Sequence, residues 1–436
     1  MFSSRPRPSI ITRRNVFNLA IGTAIFALTF TLAVQAQTYR VIHHFTGADG
    51  DYPHDLTIDQ AGNLYGAAAA GGSHNAGVIY KMTKHGSGWT FVPLYNFNVT
   101  GNGGNDGDEP WGVVIGPGGR LYGTTGSGGL GYGTVFSLSP PASFCGALLC
   151  PWTEAQLHVF TDAPDDGAFP GNADLVFDPQ GNIYGTTLDG GSGSCSRGCG
   201  TVYELSENNG GWSSSLLNSF QGDSDGYNPN GGVIFDQAGN LYGTASAGGD
   251  YFGGTVYELT PNSGSWSKNT IFSFDDGFTG VAPDASLLID ASGALYGTTQ
   301  AGGQYQNGTA FQLTNSNGNW SGNILYNFSA PIGDAGQGPQ TPLTQDAAGN
   351  LYGTTAGGGL LNYGTVFKLT FANGSWTYTL LHDFSSDLDG SDGRAPESKV
   401  VIDAQGNLYG TTIIGGLQNP ACIAGGECGV VWEITP

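Results

Sequence analysis

Gly349-Asn350-Leu351-Tyr352-Gly353-Thr354-Thr355 recurs with small changes along the chain, its tyrosine falling at Tyr65, Tyr122, Tyr184, Tyr242, Tyr296, Tyr352 and Tyr409. Seven copies spaced by roughly sixty residues are the mark of a repeat architecture. Around each copy lie short apolar-alternating segments bounded by turn residues. In the fourth copy the pattern predicts strands over 232–235, 241–244 and 254–259, with a tight turn at Asp236-Gln237-Ala238-Gly239-Asn240 between the first two. A fourth strand opens at a tryptophan. Trp89, Trp152, Trp212, Trp266, Trp320 and Trp376 each begin a run ending eight residues later in Phe97, Phe160, Phe220, Phe274, Phe328 and Phe384. An even spacing keeps both aromatics on one face of a strand, because side chains alternate with period two. No segment after the N-terminal leader sustains a 3.6-residue stripe, so almost no helix is expected.

Four short strands repeated seven times predict an all-β, seven-bladed β-propeller with four antiparallel strands per blade. The chain ends support closure of the ring. Residues 38–45 supply only a fourth strand and residues 429–434 only a third, so the N-terminal strand is expected to complete the last blade. Closure removes the exposed sheet edges that invite aggregation. The Trp and Phe positions are expected to be inter-blade core. The Asp-x-x-Gly turns at Asp59, Asp178, Asp236, Asp290, Asp346 and Asp403 suit hairpins in which Asp caps the turn and Gly takes positive φ.

The N-terminus reads as an export signal over residues 1–36. Arg5, Arg7, Arg13 and Arg14 precede an apolar run from Leu19 to Val34, and Val34-Gln35-Ala36 offers a small-residue cleavage site. The run is short for an uncleaved anchor, and no later stretch is apolar enough to span a membrane. The remaining 37–436 form one propeller domain, expected to be a monomer. It holds nine basic residues against 35 acidic, a net charge of −26. That sign argues against nucleic acid or an anionic membrane surface, since phosphate binding needs the opposite one. A cation, a neutral glycan or a basic protein stays open.

The six cysteines form close pairs, each in an insertion relative to the repeat: Cys145 with Cys150, Cys195 with Cys199, and Cys422 with Cys428. In an exported chain these read as three local disulfides pinning enlarged loops. Zinc is the rival, disfavoured because no Cys-x-x-Cys pair occurs.

The loops from each fourth strand to the next first strand carry much of the acid. Six contain Asp-Gly, and in five of these a proline follows after two intervening residues, as in Asp49-Gly50-Asp51-Tyr52-Pro53. Turn chemistry and solubility explain this pattern most simply. The functional reading is a ligand face around the channel mouth, with Asp106, Glu109, Trp111 and Asp166 as candidates. Trp111 is the one tryptophan in such a loop, placed either to stack on a sugar ring or to cover a blade edge. Clustered carboxylates also raise calcium, best at Asp223 and Asp225 and at Asp387 and Asp389, although neither loop completes an EF-hand. Catalytic signatures are mostly absent. Gly222-Asp223-Ser224-Asp225-Gly226 matches the nucleophile elbow in letters only, because it joins two strands rather than a strand and a helix. A glycosidase needs two carboxylates at a defined separation, and no pair stands out. His43, His158 and His382 share one strand position with Tyr95 and Phe272, which argues for packing.

The unit Gly-Asn-Leu-Tyr-Gly-Thr-Thr, with Gly-Gly and Gly-Thr-Val-Phe-x-Leu after it, resembles the bacterial extracellular tandem repeat called GloVer. The resemblance covers nearly all of the chain after the leader and implies a secreted or surface-displayed repeat protein. It implies no activity and transfers no catalytic residues. Members of that family often bear a C-terminal sorting anchor. None follows the last strand here, which favours free release or periplasmic residence. The expected function is a non-enzymatic binding module for a glycan or protein on the acidic loop face. A carbohydrate-active hydrolase or lyase and a structural envelope protein are the alternatives.

Overall fold

A computed structural model describes residues 37–98, 106–141, 152–171, 174–275, 277–329, 336–384, 391–423 and 425–436. The proposed leader and the Cys145–Cys150 pair lie outside these residues, as do Asp387 and Asp389. Seven antiparallel sheets form a closed ring, each running from a short first strand at the channel to a fourth strand at the rim. Blade 1, for example, comprises Asp51–Ile58, Leu64–Ala70, Val78–His85 and Gly88–Asn96. Blade 4 comprises Ile234–Phe235, Leu241–Ala245, Thr255–Asn262 and Ser265–Ser273. Helical structure among the described residues is limited to two 3-10 turns, Pro117–Gly119 and Asp223–Asp225. No helix among them is long and apolar enough to cross a membrane.

Blade 7 is assembled from both ends of the chain. Thr38–His44 pairs with Val430–Thr435, which continues to Leu408–Thr412 and Val401–Ile402. The seam to blade 1 is held by a buried acid. Glu433 accepts hydrogen bonds from Arg40 Nε at 2.6 Å, Lys84 Nζ at 2.8 Å and the Tyr409 hydroxyl at 3.2 Å. Its side chain has no exposed surface, so these donors, with Trp89 Nε1 at 3.4 Å, replace the water it loses.

The blades are joined by a repeated set of contacts. Each terminal Phe of a fourth strand is buried and packs edge-on against a third-strand ring of the next blade. Phe220 meets Tyr257 at 5.0 Å between centroids and Phe328 meets Phe367 at 5.1 Å. The tryptophans are only partly buried, because each lies near the rim against the tyrosine of the preceding blade, as Trp266 does against Tyr184 at 6.3 Å. The first Thr of Gly-Thr-Thr donates its hydroxyl to a carbonyl three residues before the next blade's first strand: Thr186 to Gly231, Thr244 to Ala285, Thr298 to Thr341 and Thr354 to Ser398. The second Thr pairs within its own blade, as Thr355 does with Thr365 at 2.8 Å. The Asp-x-x-Gly turns behave as their chemistry requires. Asp236 Oδ1 accepts from the amides of Ala238 and Asn240, and Oδ2 accepts from the Asn240 side chain.

Candidate functional site: the channel mouth

The site begins with a glycine and a proline on neighbouring blades. The glycine that opens each third strand has φ between 85° and 99° and lies against the proline that starts the next blade. A Cβ on Gly254 would stand 2.5 Å from Pro283 Cδ and 2.7 Å from the Ala245 carbonyl, so no other residue fits. Gly77 with Pro110, Gly200 with Pro229 and Gly429 with Pro53 repeat the contact, as do the remaining three junctions.

The residue before each proline is held at positive φ. Tyr52, Glu109, Phe169, Asn228, Ala282 and Ala395 lie between 50° and 57°, where non-glycine residues are strained by about 1–3 kcal/mol each. Their amides reach back to the preceding blade: Phe169 donates to Tyr132 at 2.8 Å, Ala282 to Gly253 at 3.0 Å, and Ala395 to Tyr363 at 2.8 Å. Clamped on both sides, the next residue is delivered to the mouth of the channel. Those seven positions are His54, Trp111, Gly171, Asn230, Asp284, Gln340 and Glu397. The frame is identical in each blade, and the residue it presents differs in every one.

Six of the seven line a cavity of about 280 Å³, with Asp55, Ser286 and Gln300 among its other walls. The His54 and Trp111 rings form one wall, 4.6 Å apart between centroids and tilted by 56°. Gln300 Nε2 donates to Gln340 Oε1 at 2.6 Å on another side. Burial pushes the His54 pKa down to about 4, so the ring is neutral at ordinary pH. Burial also raises the Asp284 carboxyl to about 6 and the Glu397 carboxyl above its usual value. Ser246 and Gln340 partly offset these shifts by hydrogen bonding.

A second set of side chains lies immediately before the first buried aliphatic residue of the first strands. Lys399 of blade 7 pairs with Asp174 of blade 3, and its amide donates to Asp55 of blade 1 at 2.8 Å. Blades 7 and 3 are not neighbours, so this ion pair bridges the channel, next to Asp55 in the cavity wall. Burial raises the Asp55 carboxyl to about 7, with Lys399 pulling the other way. For Lys399, burial favours the neutral amine, but Asp174 and Asp55 outweigh it and keep the ammonium charged.

Of the residues singled out from sequence, Trp111 is in the cavity wall. Glu109 is the exposed, positive-φ residue two places before it. Asp106 and Asp166 share a different position, that of the Asp-Gly aspartates, and their oxygens serve the loops themselves. Asp166 accepts from the Thr161 amide at 3.1 Å and lies 3.0 Å from His158 Nε2. Asp106 accepts from the Asn98 amide at 2.8 Å and from the Tyr95 hydroxyl. His43 with Asp49 repeats the arrangement, so the shared strand position of the histidines pairs with the loop acid as well as packing. Asp225 accepts from Lys268 Nζ at 2.8 Å, an ammonium resident where a metal ion would draw on that carboxylate, and Asp223 begins the 3-10 turn. Among the described residues no three metal-donor side chains cluster. Disulfides join Cys195 to Cys199 and Cys422 to Cys428.

Sequence reasoning did not single out Asp55, Asp174, Asp284, Glu397 or Lys399. The available signal was one variable position directly after an otherwise fixed proline. The mouth face is also where the chain exposes apolar surface. Among the described residues, nine of the twelve exposed large hydrophobic side chains lie on its loops, among them Tyr251, Phe252, Phe278 and Tyr305. The opposite face has a shallow hollow between the Asp236 and Asp290 turns, but its walls are the repeated turn residues themselves.

The ring is a seven-bladed β-propeller in which one repeated Gly–Pro frame presents non-repeating residues at the channel mouth. The chain belongs to the Gloeobacter/Verrucomicrobia repeat family, whose model matches residues 19–195 and 171–424. Comparison with curated proteins finds no match. Among solved structures, it is similar to a Bacteroides uniformis protein provisionally named a 6-phosphogluconolactonase. That match has 14% identity and a TM-score of 0.49, covering 82% of this chain and 95% of that one. It is also similar to the PQQ-bound aldose sugar dehydrogenase of Streptomyces coelicolor (11% identity, TM-score 0.41, covering 92% and 99%). A Dyadobacter fermentans protein of unknown function gives 10% identity and a TM-score of 0.43, covering 92% and 100%.

Proposed function

We propose that this protein is an exported, non-enzymatic binding module whose ligand is a neutral glycan held at the channel mouth. The observation that carries the reading is the mouth itself: an identical Gly–Pro frame in seven blades presents mostly different side chains to one cavity. Its chemistry suits a sugar. An indole and a neutral imidazole offer ring faces, while Asn230, Gln300 and Gln340 offer donors and acceptors together. The surrounding acid disfavours polyanions. Two disulfides and the family's repeat support residence outside the cytoplasm.

The test is retention of the mature protein on columns of neutral bacterial and plant polysaccharides, with calcium and with chelator, assaying the eluates for released sugar. Retention without release is expected, and Trp111→Ala should abolish it. No retention on any neutral polysaccharide defeats the proposal. The calcium arms read any metal contribution from the Asp223–Asp225 loop.

A second reading, a carbohydrate-active hydrolase or lyase, is favoured by one observation. Asp284 and Asp55 are carboxyls with raised pKa values in the cavity wall, the property a general acid needs. Released oligosaccharide that disappears in Asp284→Asn would establish it.

A further inference from the structure

The central cavity is not isolated on the mouth face. A second cleft of about 240 Å³ opens between blades 5 and 6 and shares two of its walls, Gln300 and Gln340, with the channel cavity. Its remaining polar walls are Gln306, Asn307 and Gln337, so among the described residues five carboxamides and no charged side chain line this outlet. The channel cavity it adjoins, by contrast, has Asp55, Asp284 and Glu397 in its walls. Tyr305, at the tip of the adjoining loop, leaves half of its surface exposed beside Gln306. The cleft is held by backbone as well as by side chains. Gly336–Gln337 pairs with Gly357–Gly358 as a small extra sheet, and the Gly338 amide donates to the Asn307 carbonyl at 3.0 Å across the blade junction.

A carboxamide presents a donor and an acceptor without net charge, which matches a hydroxyl on either side of it. A row of them attracts neither phosphate nor ammonium, so it selects for an uncharged polyhydroxyl chain. An exposed phenol ring adds a flat apolar face for the C–H side of a sugar. From this continuity we infer that the blade 5–6 cleft is an extended subsite. A polysaccharide chain whose end occupies the channel cavity continues outward past Gln300 and Gln340, along Gln306, Asn307 and Gln337, and over Tyr305. The inference rests on the reading of the mouth as a neutral glycan site, and adds that the ligand is a chain rather than a single sugar, entering along one radius of the ring. Recognition is therefore length-dependent.

The experiment measures binding by calorimetry with neutral cello-, xylo-, manno- and malto-oligosaccharides, from monosaccharide to hexasaccharide. For the series that binds, affinity should rise by about tenfold or more from the shortest to the longer members. Tyr305→Ala and Gln337→Ala should each flatten that rise while leaving the shortest ligand's affinity unchanged, whereas Trp111→Ala should remove binding at every length. Tyr305 is half exposed at a loop tip, so its replacement leaves the fold intact, which a melting curve checks. Affinity that is equal at all lengths, or a rise that survives both cleft variants, overturns the extended subsite and leaves the mouth site standing. Failure of every series to bind overturns both.

Discussion

Replacing Glu433 by alanine should loosen the seam where the two chain ends meet. The carboxylate is fully buried and accepts from Arg40 on the N-terminal strand, Lys84 and Trp89 on blade 1, and Tyr409 in its own blade. Removing one partner of a buried ion pair costs roughly 3–5 kcal/mol, because the other is left without its counter-charge. Here Arg40 and Lys84 are 36% and 34% exposed, so water takes over part of the lost interaction. The expected loss is therefore about 2–4 kcal/mol. Glu258 is the control, since it occupies the same strand position in blade 4 and accepts from the neutral Tyr242 hydroxyl at 2.8 Å. Glu258→Ala should cost less than about 1 kcal/mol. Urea denaturation followed by tryptophan fluorescence measures both. Equal losses in the two variants, or a Glu433→Ala loss below about 1 kcal/mol, refute the seam argument. The pH dependence adds a sign. Burial alone would raise the Glu433 pKa, but Lys84 and Arg40 together hold it below its usual 4.5. A carboxylate depressed in the folded state contributes stability that is present above the unfolded pKa and lost as pH falls through the folded one. The gap between wild type and variant should thus be constant above about pH 5 and close below about 4.5.

Three further outcomes follow from the packing and the channel. Phe220→Ala removes a buried ring from the junction of blades 3 and 4 and should cost about 3–5 kcal/mol in denaturant melts; a loss under about 1 kcal/mol contradicts its place in the core. Gly254→Ala drives a methyl into Pro283 at a strained φ and should lower the melting temperature more than Gly264→Ala, whose added Cβ meets nothing within 4 Å. In the channel, Asp55 has a folded pKa raised to about 7 against 3.8 unfolded, so the stability it contributes is fully present at low pH and lost as pH rises across that window. Asp55→Asn keeps an acceptor for the Lys399 amide and removes the titration. Its stability relative to wild type should grow between about pH 4 and 7 and then level off, which melting curves at a series of pH values would check.

The fold was legible because its signals are periodic. The Tyr-Gly-Thr-Thr strand, the even Trp-to-Phe spacing and the complementary ends each report local geometry that recurs seven times, and Thr38–His44 closes blade 7 where the ends predicted. The mouth was less legible for the opposite reason. Its residues are those that do not repeat, and a side chain such as Glu397 or Asp284 looks like any solvated acid until the proline before it is seen locked against a neighbouring glycine. Sequence drew attention to acids before Asp-Gly because they do repeat. In the structure Asp106 and Asp166 bond their own loops and strands, as a repeated turn residue would. The Lys399–Asp174 bridge joins positions 225 residues apart, on blades that are not adjacent, and no local pattern announces it. Trp111 was found by type alone, as the one tryptophan in such a loop.

The most direct test of the channel mouth as the binding site is a comparison of two faces in one retention experiment. Wild type, Trp111→Ala on the mouth and Gln237→Ala on the opposite turns are passed over the polysaccharide that retains the mature protein. The account predicts that Gln237→Ala is retained like wild type while Trp111→Ala flows through with its melting temperature unchanged. Retention of Trp111→Ala at wild-type strength, or its loss in Gln237→Ala, would place binding elsewhere and contradict the account.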